Sequence, residues 1–202
     1  MLLKMKTALK FFLISTVFQL FLVNSVFSLD LNTRDEYLLD IRNDDGDIYR
    51  SCITLNKKIE SPEIEISAFL DSQWNLETDK WEKVLLGLET GKSLWEYLYI
   101  GQSLQLISGE MLDYMAFRVE SKSFDTTTKI KANIPFLKYF SFCAFEEYSF
   151  NIEEWRDGYN EVGVEVVYTP KKLFSISTGW RHTDRIHTFD TDYASMSLSF
   201  HF

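Results

Sequence analysis

The last ten residues, Tyr193 to Phe202, constrain this chain most. Ala194, Met196, Leu198, Phe200 and Phe202 fall on one face of an extended strand, and Ser195, Ser197, Ser199 and His201 on the other. Side chains alternate across a strand, so this one is apolar on one side and hydroxylated on the other. Such a strand can close a soluble sandwich, or it can stand in a wall whose outside meets lipid. The remainder of the chain bears on that choice.

Lys4, Lys6 and Lys10 precede an apolar run from Phe11 to about Val23, and Val26-Phe27-Ser28 ends it with residues suited to cleavage after Ser28. This layout predicts a secretory signal peptide over 1–28. The alternative is an uncleaved anchor, but the run is short for a span of about 20 residues, and Gln19 and Asn24 interrupt it. Loss of 1–28 removes three lysines and no acid, so the formal charge moves from −9 to −12. No basic footprint for nucleic acid remains. No later segment has the length and apolarity of a transmembrane helix, so a membrane-spanning mature chain must be a closed barrel. The aromatic share of 16% fits rings placed at lipid headgroups. Cys52 and Cys143 would enter an oxidising compartment, either as one disulfide or as two buried thiols.

Residues 29–46 lack clear alternation and carry many acids. They read as a periplasmic lead-in, with Tyr37 to Ile41 as the one stretch that could add a strand. From 47 to 202 the chain breaks into period-two segments separated by turn residues, the pattern of a barrel. The segments are about 47–56, 62–76, 81–90, 94–107, 112–124, 128–136, 139–150, 159–168, 173–182 and the terminal strand. A bulge is expected at Phe145-Glu146-Glu147. The expected fold is all-β: a closed, antiparallel, up-and-down transmembrane barrel of about ten strands, with eight or twelve as neighbouring solutions. An even count places both ends on the periplasmic side. Counting back from Phe202 then puts turns at 169–172, 137–138, 108–110 and 77–80 on that side, and 151–158 and 183–192 facing outward.

In a barrel, the polar faces point into the lumen. Glu65, Asp71, Glu89, Glu120, Glu147, Glu161 and Glu165 would supply acid there, and Lys83, Arg118, Lys122, Lys129, Lys131 and Arg181 base. In a soluble sandwich the same residues would form a solvated outer face. An open selective pore often carries one dominant sign, whereas this lining is mixed. A mixed lining predicts ion pairs across a narrow or plugged interior, since barrels of eight to ten strands leave little room. The role that follows is structural, surface or small-solute channel, in the bacterial outer membrane.

Several stretches resemble an uncharacterised family of bacterial outer-membrane β-barrels without assigned function. They are Asp71-Ser72-Gln73-Trp74 with Lys80-Trp81-Glu82-Lys83, then Ile134-Pro135-Phe136 and Phe145-Glu146-Glu147-Tyr148. Gly163-Val164-Glu165, Tyr168-Thr169-Pro170 and Gly179-Trp180-Arg181 complete the pattern over roughly 62–202. The likeness implies fold and membrane, with no catalytic motif. The terminal strand is itself similar to that of outer-membrane barrels, where a C-terminal Phe marks the chain for assembly. That implies Phe200 and Phe202 as an assembly signal, with the assembly machinery, outer-membrane lipid and lipopolysaccharide as partners.

The one cluster with catalytic character is His182-Thr183-Asp184-Arg185-Ile186-His187, with Asp190 and Asp192 nearby. A histidine oriented by a carboxylate can act as a general base. Lipid A deacylases and omptin proteases place a histidine at such a rim. The deacylases resemble a His-x-Ser pattern in which Asp184 here replaces the Ser. A rim enzyme using His182 and Asp184 is therefore the second reading, and a soluble secreted β protein the third. A solvated polar loop accounts for the same residues. The histidine spacing gives no ordered metal-ligand motif. Asn43-Asp44-Asp45-Gly46-Asp47 lacks the spacing and terminal Glu of a calcium loop. No phosphate loop, dinucleotide fingerprint or nucleophile elbow is present, so no cofactor is expected. Trp74, Trp81, Trp95 and Trp180 lie near strand ends, as an aromatic girdle requires.

Overall fold

A computed structural model describes residues 29–42, 46–60, 63–112, 118–184 and 190–202, with only the backbone path for 110–112 and 118–121. The segment 1–28, read above as a signal peptide, lies outside the described residues. Ten strands follow in chain order: β1 Asp30–Asp40, β2 Ile48–Glu60, β3 Glu63–Asn75, β4 Lys80–Trp95, β5 Leu98–Leu112, β6 Arg118–Leu137, β7 Phe140–Asn151, β8 Arg156–Lys171, β9 Phe174–Asp184 and β10 Thr191–His201. Each pairs antiparallel with its neighbour, and β1 pairs with β10, so the sheet closes into a barrel. The start of β1 and the C-terminus lie at one end, called the end of the termini, and the chain turns from β1 to β2, β3 to β4, β5 to β6, β7 to β8 and β9 to β10 at the other.

The count of ten is as expected, but two of its components differ. Residues 30–40 are not a lead-in: they form β1, whose register with β10 runs from Asn32 opposite His201 to Asp40 opposite Tyr193. The alternation there is hidden because Asp35 takes an outward position. Its carboxylate accepts hydrogen bonds from Tyr49 Oη at 3.0 Å and Ser51 Oγ at 2.7 Å. Conversely, Leu38 points inward and packs in a buried cluster with Ile48 and Tyr193. Residues 118–124 of the expected segment 112–124 run on into the expected segment 128–136 as one strand, β6. The gap left at 125–127 is strand as well, and side chains on and beside it bond across to β5: Gln102 Nε2 donates to Thr126 Oγ1 at 2.5 Å, and Thr128 Oγ1 donates to Gln102 Oε1 at 2.7 Å. One missed strand and one split strand cancel.

The turn parity therefore holds only in the second half. The β8–β9 and β6–β7 turns lie at the end of the termini, whereas 108–110 falls within β5 and 76–79 turns at the opposite end. The expected bulge at 145–147 is absent; the nearest register shift lies between Tyr148 and Phe150.

The faces are sorted inside out relative to a soluble protein. Leu88 and Met196 are 64% and 61% exposed on the outer wall, while Asp71 and Glu165 inside are each 2% exposed. A soluble sandwich would bury the first pair and expose the second, so the third reading above is overturned. Aromatic rings gather at both ends. Trp74 and Trp81 meet edge to face at 4.9 Å beside the β3–β4 turn. At the opposite end Phe140 lies 4.8 Å from Tyr168 and 6.2 Å from Phe136. This is the arrangement of aromatic residues flanking an apolar band.

Leu88→Arg, midway along β4, is expected to cost about 2–4 kcal/mol of stability in lipid, and Leu94→Arg near its end at most about 1 kcal/mol. Urea titration of protein refolded into phospholipid vesicles measures both, and equal costs would contradict a lipid-facing band.

Candidate functional site: the charged lumen

Alternation brings every second residue of ten strands into one enclosed space. Arg34 and Glu36 arrive on β1, Arg50 on β2, Asp71 on β3, Glu161 and Glu165 on β8, and Arg181 on β9. Arg181 is the hub. Its Nη2 lies 2.8 Å from Glu36 Oε1 and 2.9 Å from Glu165 Oε1, and its Nη1 2.6 Å from Glu161 Oε1. Arg34 Nη2 shares the same two carboxylates, 3.0 Å from Glu36 and 2.6 Å from Glu165. Arg50 Nε meets Asp71 Oδ2 at 2.6 Å, and Arg50 Nη1 lies 3.8 Å from Glu161 Oε1. Glu165 also accepts a hydrogen bond from Ser177 Oγ at 3.1 Å.

This belt spans the interior. Arg50 and Glu161 are four strands apart around the ring, so their approach bridges the lumen from one wall toward another. Lys83 Nζ on β4 lies 4.8 Å from the centre of the Tyr159 ring on β8, again four strands away. A separate pair, Lys129 Nζ and Glu147 Oε1 at 2.5 Å, sits on β6 and β7. In a medium of low dielectric such pairs hold only where each charge keeps its partners.

Glycines shape the free space. A Cβ on Gly87 would lie 2.3 Å from Phe69 Cζ, and one on Gly163 2.4 Å from Phe145 Cζ. The two rings therefore lie flat against the neighbouring strand instead of crossing the lumen. Phe145 in turn carries the Arg181 guanidinium 4.6 Å above its ring centre. What remains is a cavity of about 460 Å³, with Asn32, Asn56 and His201 toward the end of the termini and the Arg34–Glu36–Arg181 belt farther in. At the loop end the lumen holds Leu38, Ile48 and Tyr193 in contact, with Thr191 and Ser149 buried.

Of the charges expected inside, Asp71, Glu161, Glu165 and Arg181 join the belt, Lys129 pairs with Glu147, and Glu65, Lys83, Glu89 and Lys131 face the lumen beyond it. Lys122 does not. It stands opposite Ser108 on the outer face, because β6 is one strand with one alternation and its even positions face out. The side chains of Arg118 and Glu120 lie outside the described residues. Sequence reading missed Arg34 and Glu36, because β1 was read as a lead-in, and passed over Arg50. The alternation Asn32-Arg34-Glu36 against Leu31-Thr33-Tyr37 was the available signal, broken by Asp35.

The rim residues separate. His182 stacks on Trp180 on the outer face, and its Nδ1 lies 3.0 Å from Asp192 Oδ1. Arg42 binds the same Asp192 carboxylate. Asp184 is not the described partner of His182, and His187 lies outside the described residues. Among the described residues no three His, Cys, Asp or Glu gather as a metal-binding set. Cys52 and Cys143 are both free thiols facing the lumen. They stand on β2 and β7, opposite sides of a ten-strand ring, too far apart for a disulfide. Phe200 and Phe202, the expected assembly signal, stack at 6.3 Å on the terminal strand.

No family model matches the chain, and no curated protein does. Solved structures match in architecture. The KdgM porin, solved in complex with disordered oligogalacturonate, is 12% identical with a TM-score of 0.47, the match covering 86% of this chain and 99% of that one. The NanC porin is 8% identical with a TM-score of 0.49 over the same shares. The translocator domain of the autotransporter NalP from Neisseria meningitidis is 8% identical with a TM-score of 0.42, covering 89% and 90%. At such identity no lumenal side chain is carried from one protein to another. The resemblance to an uncharacterised barrel family holds at the level of the barrel alone. By its closed antiparallel ring, even strand count, apolar outside and polar inside, this is a barrel of the bacterial outer-membrane type.

Arg181→Met would leave Glu36, Glu161 and Glu165 short of a cation and is expected to cost about 3–5 kcal/mol. Arg42→Ala breaks an exposed rim pair and should cost at most about 1 kcal/mol. Urea unfolding of the two variants in detergent checks the difference, and a cost for Arg181→Met as small as the rim pair would show that the belt does not hold the barrel.

Proposed function

We propose that this protein is an outer-membrane channel for small polar solutes, with the Arg34–Glu36–Arg50–Arg181 belt as its filter. The observation that carries this reading is the polar cavity inside the barrel, which runs from the end of the termini up to that belt. A barrel serving only as a scaffold has no need of an internal space rimmed by seven interlocked charges. The belt is mixed in sign, so it excludes by size and by the exchange of ion-pair partners rather than by a single field. A solute passes only where it replaces the partners it separates, which favours small species with donors and acceptors over bulk ions. The side chains packed at the loop end make this a narrow path. The rim-enzyme reading gains nothing from the geometry, because His182 and Asp184 do not form the needed pair.

Purified protein in planar bilayers is expected to give small discrete conductance steps. Arg34→Ala removes a half-exposed guanidinium and leaves the Glu36 and Glu165 carboxylates in place. The step size should rise, and the reversal potential in a salt gradient should shift toward cation selectivity. Silent bilayers for both proteins would sink the channel reading.

A further inference from the structure

Beyond the ionic belt and the Lys129–Glu147 pair, three charged residues line the cavity. Glu65 stands in register with Lys58 at the mouth, so a cation is its neighbour. Glu89 and Lys131 differ. The Glu89 carboxylate accepts a hydrogen bond from Tyr99 Oη at 2.6 Å and has no cation in ion-pair range among the described residues. Lys131 has no carboxylate in that range among the described residues, although its neighbour Lys129 is paired with Glu147.

Register separates the two charges: Glu89 is level with Ser103 and Thr127, four residues along β6 from Lys131. Tyr99 stands on β5, between Glu89 on β4 and Lys131 on β6, and is in direct register with Lys131. Glycine draws its ring toward β4: a Cβ on Gly91 would lie 2.1 Å from Tyr99 Oη. Glu89 and Lys131 are thus two strands apart, roughly 10 Å laterally, and four residues apart along the strands, roughly 13 Å, with a phenol ring leaning over the gap. Both face one cavity of about 460 Å³, within the size range of small-molecule sites of about 300–1,000 Å³.

We infer that this wall of the cavity is a binding site for a small zwitterion, with Lys131 meeting its carboxylate and Glu89 its ammonium across Tyr99. The inference rests on the channel reading and names the solute class that it admits. A simple anion would satisfy Lys131 and be repelled by Glu89, and a simple cation the reverse. A solute with both charges satisfies the two groups at once, so the discrimination comes from repulsion as well as attraction. The buried Arg34 Nε, Arg181 Nε and Asp71 Oδ1, which have no hydrogen-bond partner, belong to residues that line the same cavity and offer further donors and an acceptor.

The test is calorimetric titration of the folded full chain in detergent with glycine, 4-aminobutyrate and 6-aminohexanoate, beside hexanoate and hexylammonium. At least one zwitterion is expected to bind about tenfold or more tightly than either single-charge analogue, as loss of one charged hydrogen bond implies. Lys131→Met should reduce the zwitterion to the affinity of hexylammonium, Glu89→Gln should reduce it to that of hexanoate, and Lys131→Arg should retain it. Heat-modifiable migration on gels verifies that each variant is folded. Equal affinity for zwitterions and single ions, no binding of any zwitterion, or variants that weaken every probe alike would overturn the site. Bilayer recordings run in parallel keep the two readings apart: silent bilayers with intact zwitterion binding remove the channel and leave the site, and conductance without binding does the opposite.

Discussion

The seam between β1 and β10 is the contact on which the rest of the barrel depends. In lipid, each unpaired backbone donor or acceptor costs several kcal/mol, so an open sheet edge cannot persist there. The seam closes at its very end: Phe202 N donates to Leu31 O at 2.8 Å, and Leu31 N to Phe202 O at 3.2 Å. Side chains reinforce it from inside. His201 Nδ1 lies 2.8 Å from Asn32 Oδ1, and its Nε2 lies 3.3 Å from Ser175 Oγ on β9. The hydroxylated face of the terminal strand is thus the inner lining of the closure.

Closure also delivers the chemistry of the interior. Arg34 and Glu36 sit on the strand that shuts the ring, and without them Arg181 and Glu165 would each lose a partner. The ionic belt and the seam are therefore coupled. A barrel that failed to recruit β1 would expose an edge and leave buried charges unpaired together, which penalises the misassembled state twice. The belt in turn divides the lumen into a cavity toward the termini and a packed loop end, and the separated Glu89 and Lys131 lie on the cavity side.

Much of this was legible in the chain itself. Strands β7, β9 and β10 present the faces that alternation assigns to them, because Val, Ile and Phe on one side and Ser, Glu and Arg on the other leave one register that suits lipid and lumen together. Legibility failed where a local exception outweighed the pattern. Asp35 faces outward, where two hydroxyls satisfy it, and Leu38 faces inward, so β1 looked irregular. Asp125-Thr126-Thr127 looked like a break because the Thr126 bond to Gln102 comes from another strand. That misreading also sent Lys122 to the wrong face.

The sequence by itself determined that the wall is two-faced and that the inner face carries charge of both signs, because a period of two is a local property of the backbone. It also marked the terminal strand as one with an apolar and a hydroxylated side. Only the tertiary structure decided which charges meet. Arg50 and Glu161 are far apart in sequence and four strands apart around the ring, and closure alone sets them 3.8 Å from each other. Tyr99 reaching the Glu89 carboxylate from a position in register with Lys131 is likewise a fact of three strands lying side by side, which no single strand encodes.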